Sequence, residues 1–96
     1  MEFEWDPKKA KQNLKKHKTS FDEASTVFND DLSITFPDPD HSEDEDHLII
    51  IGMSKQKRLL MVAHTERGVR IRIISARELT RTERKDYEEE IQSNRE

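Results

Sequence analysis

The chain has 96 residues, no cysteine, 40% charged residues and a formal net charge of −4. Disulfides and thiolate metal sites are thereby excluded, and a bulk nucleic-acid coat protein would be basic. Leu, Ile, Val and Phe supply only 21 residues, just above the composition of disordered chains. They cluster in LIIIG (48–52), LLMVA (59–63) and VRIRII (69–74), which argues for one folded domain over 1–96 with a thin core and a frayed acidic tail from about 92. The start, MEFEWD, lacks the apolar run of a signal peptide, and no stretch approaches a membrane span. A cytoplasmic protein without a membrane partner is expected.

EFEW (2–5) alternates like a short edge strand. Asp6 and Pro7 then cap and open a helix. Ala10, Asn13, Leu14 and His17 share its apolar face, and Lys8, Lys11, Lys15 and Lys18 line another. SFDE (20–23) is a capping box that opens a second short helix. LSITF (32–36) reads as a strand, followed by the acidic loop PDPDHSEDEDH (37–47). LIIIGM, RLLMVAH and VRIRIIS read as three further strands, with turns at SKQK (54–57) and TERG (65–68). TRTE (80–83) is a second capping box before a C-terminal helix through Tyr87 and Ile91. The order predicts an α+β domain: a largely antiparallel sheet of about four to five strands, two N-terminal helices and one C-terminal helix.

Charge is segregated along the chain. Residues 7–18 hold six lysines and no acid, residues 38–46 hold six acids and no Lys or Arg, and residues 55–72 hold six bases and one acid. As a calcium loop the acidic stretch has Glu43 where glycine is needed and Ile49 where the bidentate Glu is needed. It reads as a solvated loop rather than a metal site, and no metal or cofactor is expected. Glu45, just before the strand at 48, is its best-placed general base. The lysine face of the first helix reads as a solubilising surface unless it adjoins the arginines of strand 69–75, when the two sets would form one phosphate-binding footprint. His17, on an apolar face, reads as a packing residue. His64 ends a central strand beside a turn, a better position for proton transfer. In a regular strand Val69, Ile71 and Ile73 point one way and Arg70, Arg72 and Ile74 the other. Arg72 thus leaves a partly apolar face. Arg77 falls beyond that strand, beside the cap Thr80. It is either an anion-binding fork at a helix N-terminus or the partner of Glu78 or Glu83, and the residues alone hold the two level.

FEWDPKKAKQNLKKH (3–17), SFDEASTVFND (20–30), DHSEDED (40–46), HTERG (64–68) and RIISAREL with TRTERKDYEE (72–89) together resemble the BrnT family of bacterial type II toxins. The resemblance implies a RelE-like fold and a metal-independent endoribonuclease that stops translation, on or off the ribosome. It also implies a BrnA-like antitoxin as protein partner, in a heterotetramer or beside a toxin homo-oligomer, with DNA met only through that antitoxin. That nuclease chemistry fits residues already singled out: Arg72 and Arg77 are the candidates for the phosphate, and His64 and Glu45 for proton transfer. Lys8, Lys11, Lys15, Lys16, Lys18 and Arg70 would guide RNA. His17, in the Lys-His motif, and His47 would be catalytic or structural. Two departures favour an alternative, a weakened toxin kept as an antitoxin-binding module: His47 stands where many relatives carry arginine, and the chain is net acidic.

Overall fold

A computed structural model describes residues 1–41 and 46–95, the side chains of His41, Asn94 and Arg95 excepted. In chain order the elements are β1 (Glu2–Glu4), α1 (Pro7–His17), α2 (Phe21–Thr26) running into a 3-10 turn (Val27–Asn29), β2 (Ile34–Pro37), a second 3-10 turn (Pro39–His41), β3 (His47–Met53), β4 (Leu59–Arg67), β5 (Arg70–Glu78) and α3 (Arg81–Arg95). The sheet order is β1-β5-β4-β3-β2. All neighbours are antiparallel except β1 and β5, which run parallel over three residues. This is the α+β architecture expected from the sequence. Its central strands β3 and β4 are the two apolar runs.

The caps form where the sequence places them, with one departure. Asp6 accepts the Lys8 N–H at 2.8 Å, and Ser20 Oγ accepts the Glu23 N–H at 3.0 Å. Glu23, however, does not complete its capping box. Its buried carboxylate accepts from Ser54 Oγ at 2.7 Å and from Arg58, whose Nη1 also donates to Glu78. The Arg58 guanidinium holds the Glu23 carboxyl below its ordinary range. Charge-assisted bonds in a half-dry setting outcompete one backbone donor. This network ties α2 to the β3–β4 turn and to the end of β5.

Two layers of core sandwich the sheet. On one face Phe21, Ala24 and Val27 pack on Ile50, Leu60, Val62, Ile73 and Ala76. On the other, Tyr87 and Leu79 cover Ile49, Ile51 and Leu59, and Tyr87 donates its hydroxyl to the Leu32 carbonyl at 2.9 Å. Burying these apolar faces at about 25 cal/mol per Å² supplies most of the favourable energy of so small a domain.

β5 is longer and less regular than its sequence pattern. It runs to Glu78 rather than stopping near residue 75, and its hairpin turns at Gly68 (φ +61°) and Val69. Val62 pairs with Ala76 and Ala63 with Ser75, but His64 pairs with Ile73, so Ile74 is an extra residue. A bulge of this kind inverts the side-chain alternation beyond it. Ile71, Ile73 and Ala76 all become buried. Arg72, Ser75 and Arg77 consequently share the opposite face, which a regular strand would not allow.

Candidate functional site

That face carries a cleft of about 300 Å³. His17 enters it from the last residue of α1, Asp38 and Asp40 from the loop after β2, His47 from the start of β3, and Ser75 and Arg77 from β5. Each position has a local cause. β1 covers β5 only at residues 70–72, so the backbone of Ala76 lies on an open edge. The Asn13 side chain fills the missing strand. Its Nδ2 donates to Ala76 O at 2.8 Å and to Thr19 O at 2.9 Å, and its Oδ1 accepts the Ala76 N–H at 3.1 Å. α1 is thereby seated along the sheet edge with His17 at the cleft. The spacing that grouped Asn13 with Leu14 is corrected here: Asn13 is buried, whereas Leu14 is 50% exposed.

Across the cleft, the Asp38 N–H donates to His47 O at 3.0 Å and the Asp38 Oδ1 accepts the Asp40 N–H at 2.9 Å. The first bond ties the start of the acidic loop to β3, the second shapes residues 38–40, and Asp38 is only 6% exposed. The acidic loop is therefore not wholly solvated. Asp38 and Ser75 belong to the cleft although sequence reasoning singled out neither. Glu45 lies outside the described residues.

Of its two expected settings, Arg77 shows the pairing with Glu83. It lines the cleft, and it is clamped by the first turn of α3. Its Nη1 and Nη2 donate to the two carboxylate oxygens of Glu83 at 2.7 and 2.9 Å. Glu83 also completes a reciprocal capping box: its Oε1 accepts the Thr80 N–H at 2.9 Å, and its own N–H donates to Thr80 Oγ1 at 3.2 Å. The Arg77 guanidinium holds the Glu83 carboxyl down to about 2.

The remaining site residues do not converge on the cleft. Arg72 shares its face but donates to Glu4 on β1 at 2.9 Å, and Arg70 lies beside Glu2 and Glu4 at 3.5 and 3.8 Å. Lys8, Lys11, Lys15 and Lys16 are exposed on α1 and Lys18 is exposed at its C-cap, and Lys15 and Lys16 sit in the last turn beside His17. Among the described residues no group of three or more His, Asp or Glu side chains is arranged to hold a metal ion.

His64 lies on the helix-covered face instead. It follows Leu60 and Val62 in the alternation of β4 and packs edge-on against Phe28 with ring centroids 4.8 Å apart. It is 1% exposed, its Nδ1 lies 3.2 Å from Val62 O, and its Nε2 has no hydrogen-bond partner among the described residues, with Glu66 Oε1 4.0 Å away. A ring without solvent access is poorly placed to exchange protons with RNA. Burial lowers its pKa, so the folded state holds it neutral. The unfolded chain takes up its proton below about pH 6.5, so stability falls as pH drops through that value. His64→Leu should flatten the pH dependence of the melting temperature between about pH 6.5 and 5. An unchanged slope would place the acid-sensitive group elsewhere.

Among the described residues no helix is long and apolar enough to cross a membrane. No curated protein matches the chain. A solved structure does: the crystal structure of the Brucella abortus ribonuclease toxin BrnT is 23% identical, with a TM-score of 0.67 over 84% of this chain and 99% of that one. At that identity the likeness speaks for the fold. Residues 5–83 match the family described as the ribonuclease toxin BrnT of type II toxin–antitoxin systems. That span takes in α1 with Asn13 and His17, the acidic loop, and β5 through the Arg77–Glu83 clamp, and the chain belongs to the BrnT family.

Proposed function

We propose that the cleft between α1, β3 and β5 is the active centre of an endoribonuclease that works without a metal. The observation that carries this reading is the convergence of His17, His47 and Arg77, from three separate elements, on one cleft. RNA supplies its own nucleophile. One group takes the proton of the 2′-hydroxyl, and the freed oxygen attacks the adjacent phosphorus. A second group protonates the departing 5′-oxygen. The products are a 2′,3′-cyclic phosphate and a free 5′-hydroxyl. His17 and His47 fill the two proton-transfer roles, with Glu45, two residues before His47, as the alternative base. Arg77 meets the negative charge that grows on the phosphate oxygens. Lys8, Lys11, Lys15, Lys16 and Lys18 with Arg70 and Arg72 guide the strand, and their contribution should fade with salt.

The biological setting follows the family. The protein would act in the cytoplasm, stop translation by cutting RNA, and be silenced by a BrnA-like antitoxin. A second reading has a specific support: Arg72 and Arg77 already donate to Glu4 and Glu83, which leaves less cation for RNA. On that reading the chain is a weak nuclease retained as an antitoxin-binding module. Purified protein and a defined RNA oligonucleotide in excess chelator separate these. The nuclease reading predicts cleavage with a 2′,3′-cyclic phosphate end and none at a nucleotide whose 2′-hydroxyl is removed. Cleavage only after magnesium is added would overturn the metal-free mechanism. No cleavage in either buffer would favour the binding module.

A further inference from the structure

We infer that Glu83 is a specificity-determining residue at this site: its carboxylate occupies the anion position of Arg77 and admits only a phosphate able to displace it. The inference rests on the proposed role of Arg77 in phosphate contact. A guanidinium carries five N–H groups, four of them on the two terminal nitrogens. Arg77 Nη1 donates to Glu83 Oε1 at 2.7 Å and to Glu78 O at 3.2 Å. Nη2 donates to Glu83 Oε2 at 2.9 Å and contacts Met61 Sδ at 3.2 Å. All four terminal donors therefore face protein acceptors. A phosphate that needs the paired fork must take the place of the two Glu83 oxygens, which present the same bidentate geometry.

The exchange is built to be possible. The two side chains are 37% and 31% exposed, and a solvent-screened pair of this kind is only modestly held. Glu83 keeps a second job when it lets go, because its Oε1 also accepts the Thr80 N–H. The helix N-terminus that Glu83 caps is itself suited to anions. Protonation does not release the clamp near neutral pH, since Arg77 keeps the carboxyl ionised. Only a competing anion does. A lone phosphate in solution competes poorly. A phosphodiester already held along its strand by the α1 lysines arrives at high local concentration and competes well.

Glu83→Gln tests this cleanly, since glutamine also serves in a capping box and the fold should survive. The probe is inorganic phosphate, titrated into wild type, Glu83→Gln, Arg77→Ala and the double variant, with melting temperature recorded for each. Glu83→Gln should bind phosphate up to about fivefold tighter than wild type, with a melting temperature no more than about 8 °C lower. The double variant should lose that gain. Equal binding by wild type and Glu83→Gln would overturn the inference, as would a gain that persists without Arg77. RNA cleavage, measured in parallel, keeps the two claims apart. A folded Glu83→Gln that binds phosphate tighter through Arg77 but cuts no RNA, like the wild type, sinks the nuclease reading alone. Cleavage lost in Arg77→Ala together with unimproved phosphate binding in Glu83→Gln sinks only the placeholder.

Discussion

Arg77→Ala is expected to abolish toxicity and RNA cleavage while leaving a folded protein. Arg77 is the one arginine of β5 that lines the cleft, and it gets there through the Ile74 bulge. Losing a preorganised donor to a developing oxyanion costs about 10²–10³ in rate. The fold should tolerate the change because the Arg77–Glu83 pair is partly exposed and the Thr80–Glu83 capping box remains. Induced expression without an antitoxin, following growth and RNA integrity, reads the effect directly. Wild type should arrest growth and cut RNA, and the variant should do neither at equal soluble yield. A variant as toxic as wild type would remove Arg77 from the site.

Asn13→Leu should cost more stability than any other single polar change near the cleft. The substitution keeps the side chain's bulk but removes three buried hydrogen bonds, leaving Ala76 N–H, Ala76 O and Thr19 O without that partner. Buried backbone groups left unpaired cost about 1–3 kcal/mol each, so a total loss of about 3 kcal/mol or more is expected. That is a large share of the stability of a domain of this size. It corresponds to a fall in melting temperature of about 15 °C. Asn13→Asp is the informative companion. It is nearly the same shape but sets a carboxylate against two carbonyls, so it should be at least as damaging. If Asn13→Asp is harmless, packing rather than hydrogen bonding holds α1 on the sheet edge. Either variant should also lower cleavage, because His17 depends on the seating of α1.

The comparison of these two residues shows what the sequence made legible. The strands were readable because their apolar runs are long and their turns are marked by polar residues and by Gly68. The start of α1 is readable because the Asp6 cap acts within one turn. Arg77 stood out because it precedes a helix cap, though the bulge that turns it into the cleft leaves no trace: Ile74 is one more apolar residue in an apolar run. By spacing alone Asn13 belongs to a helical stripe. Its burial depends on Ala76, 63 residues away, and on an edge that β1 is too short to cover. The setting of His64 is hidden for a related reason. The alternation groups it with Leu60 and Val62, but β4 is apolar on both faces, so parity alone does not say which face meets the helices. Asp38 is hidden among six acids, and its burial and its bond to the His47 backbone arise only in the fold.

RNA is proposed to dock in the cleft between α1, β3 and β5. The most direct test is an NMR titration of isotope-labelled protein with a short RNA made uncleavable by 2′-O-methylation. The largest shifts should fall at His17, His47, Ser75 and Arg77, with smaller salt-sensitive shifts along the lysines of residues 8–18 and an unmoved His64 ring. Shifts centred on another face, with the cleft silent at saturating RNA, would contradict that docking.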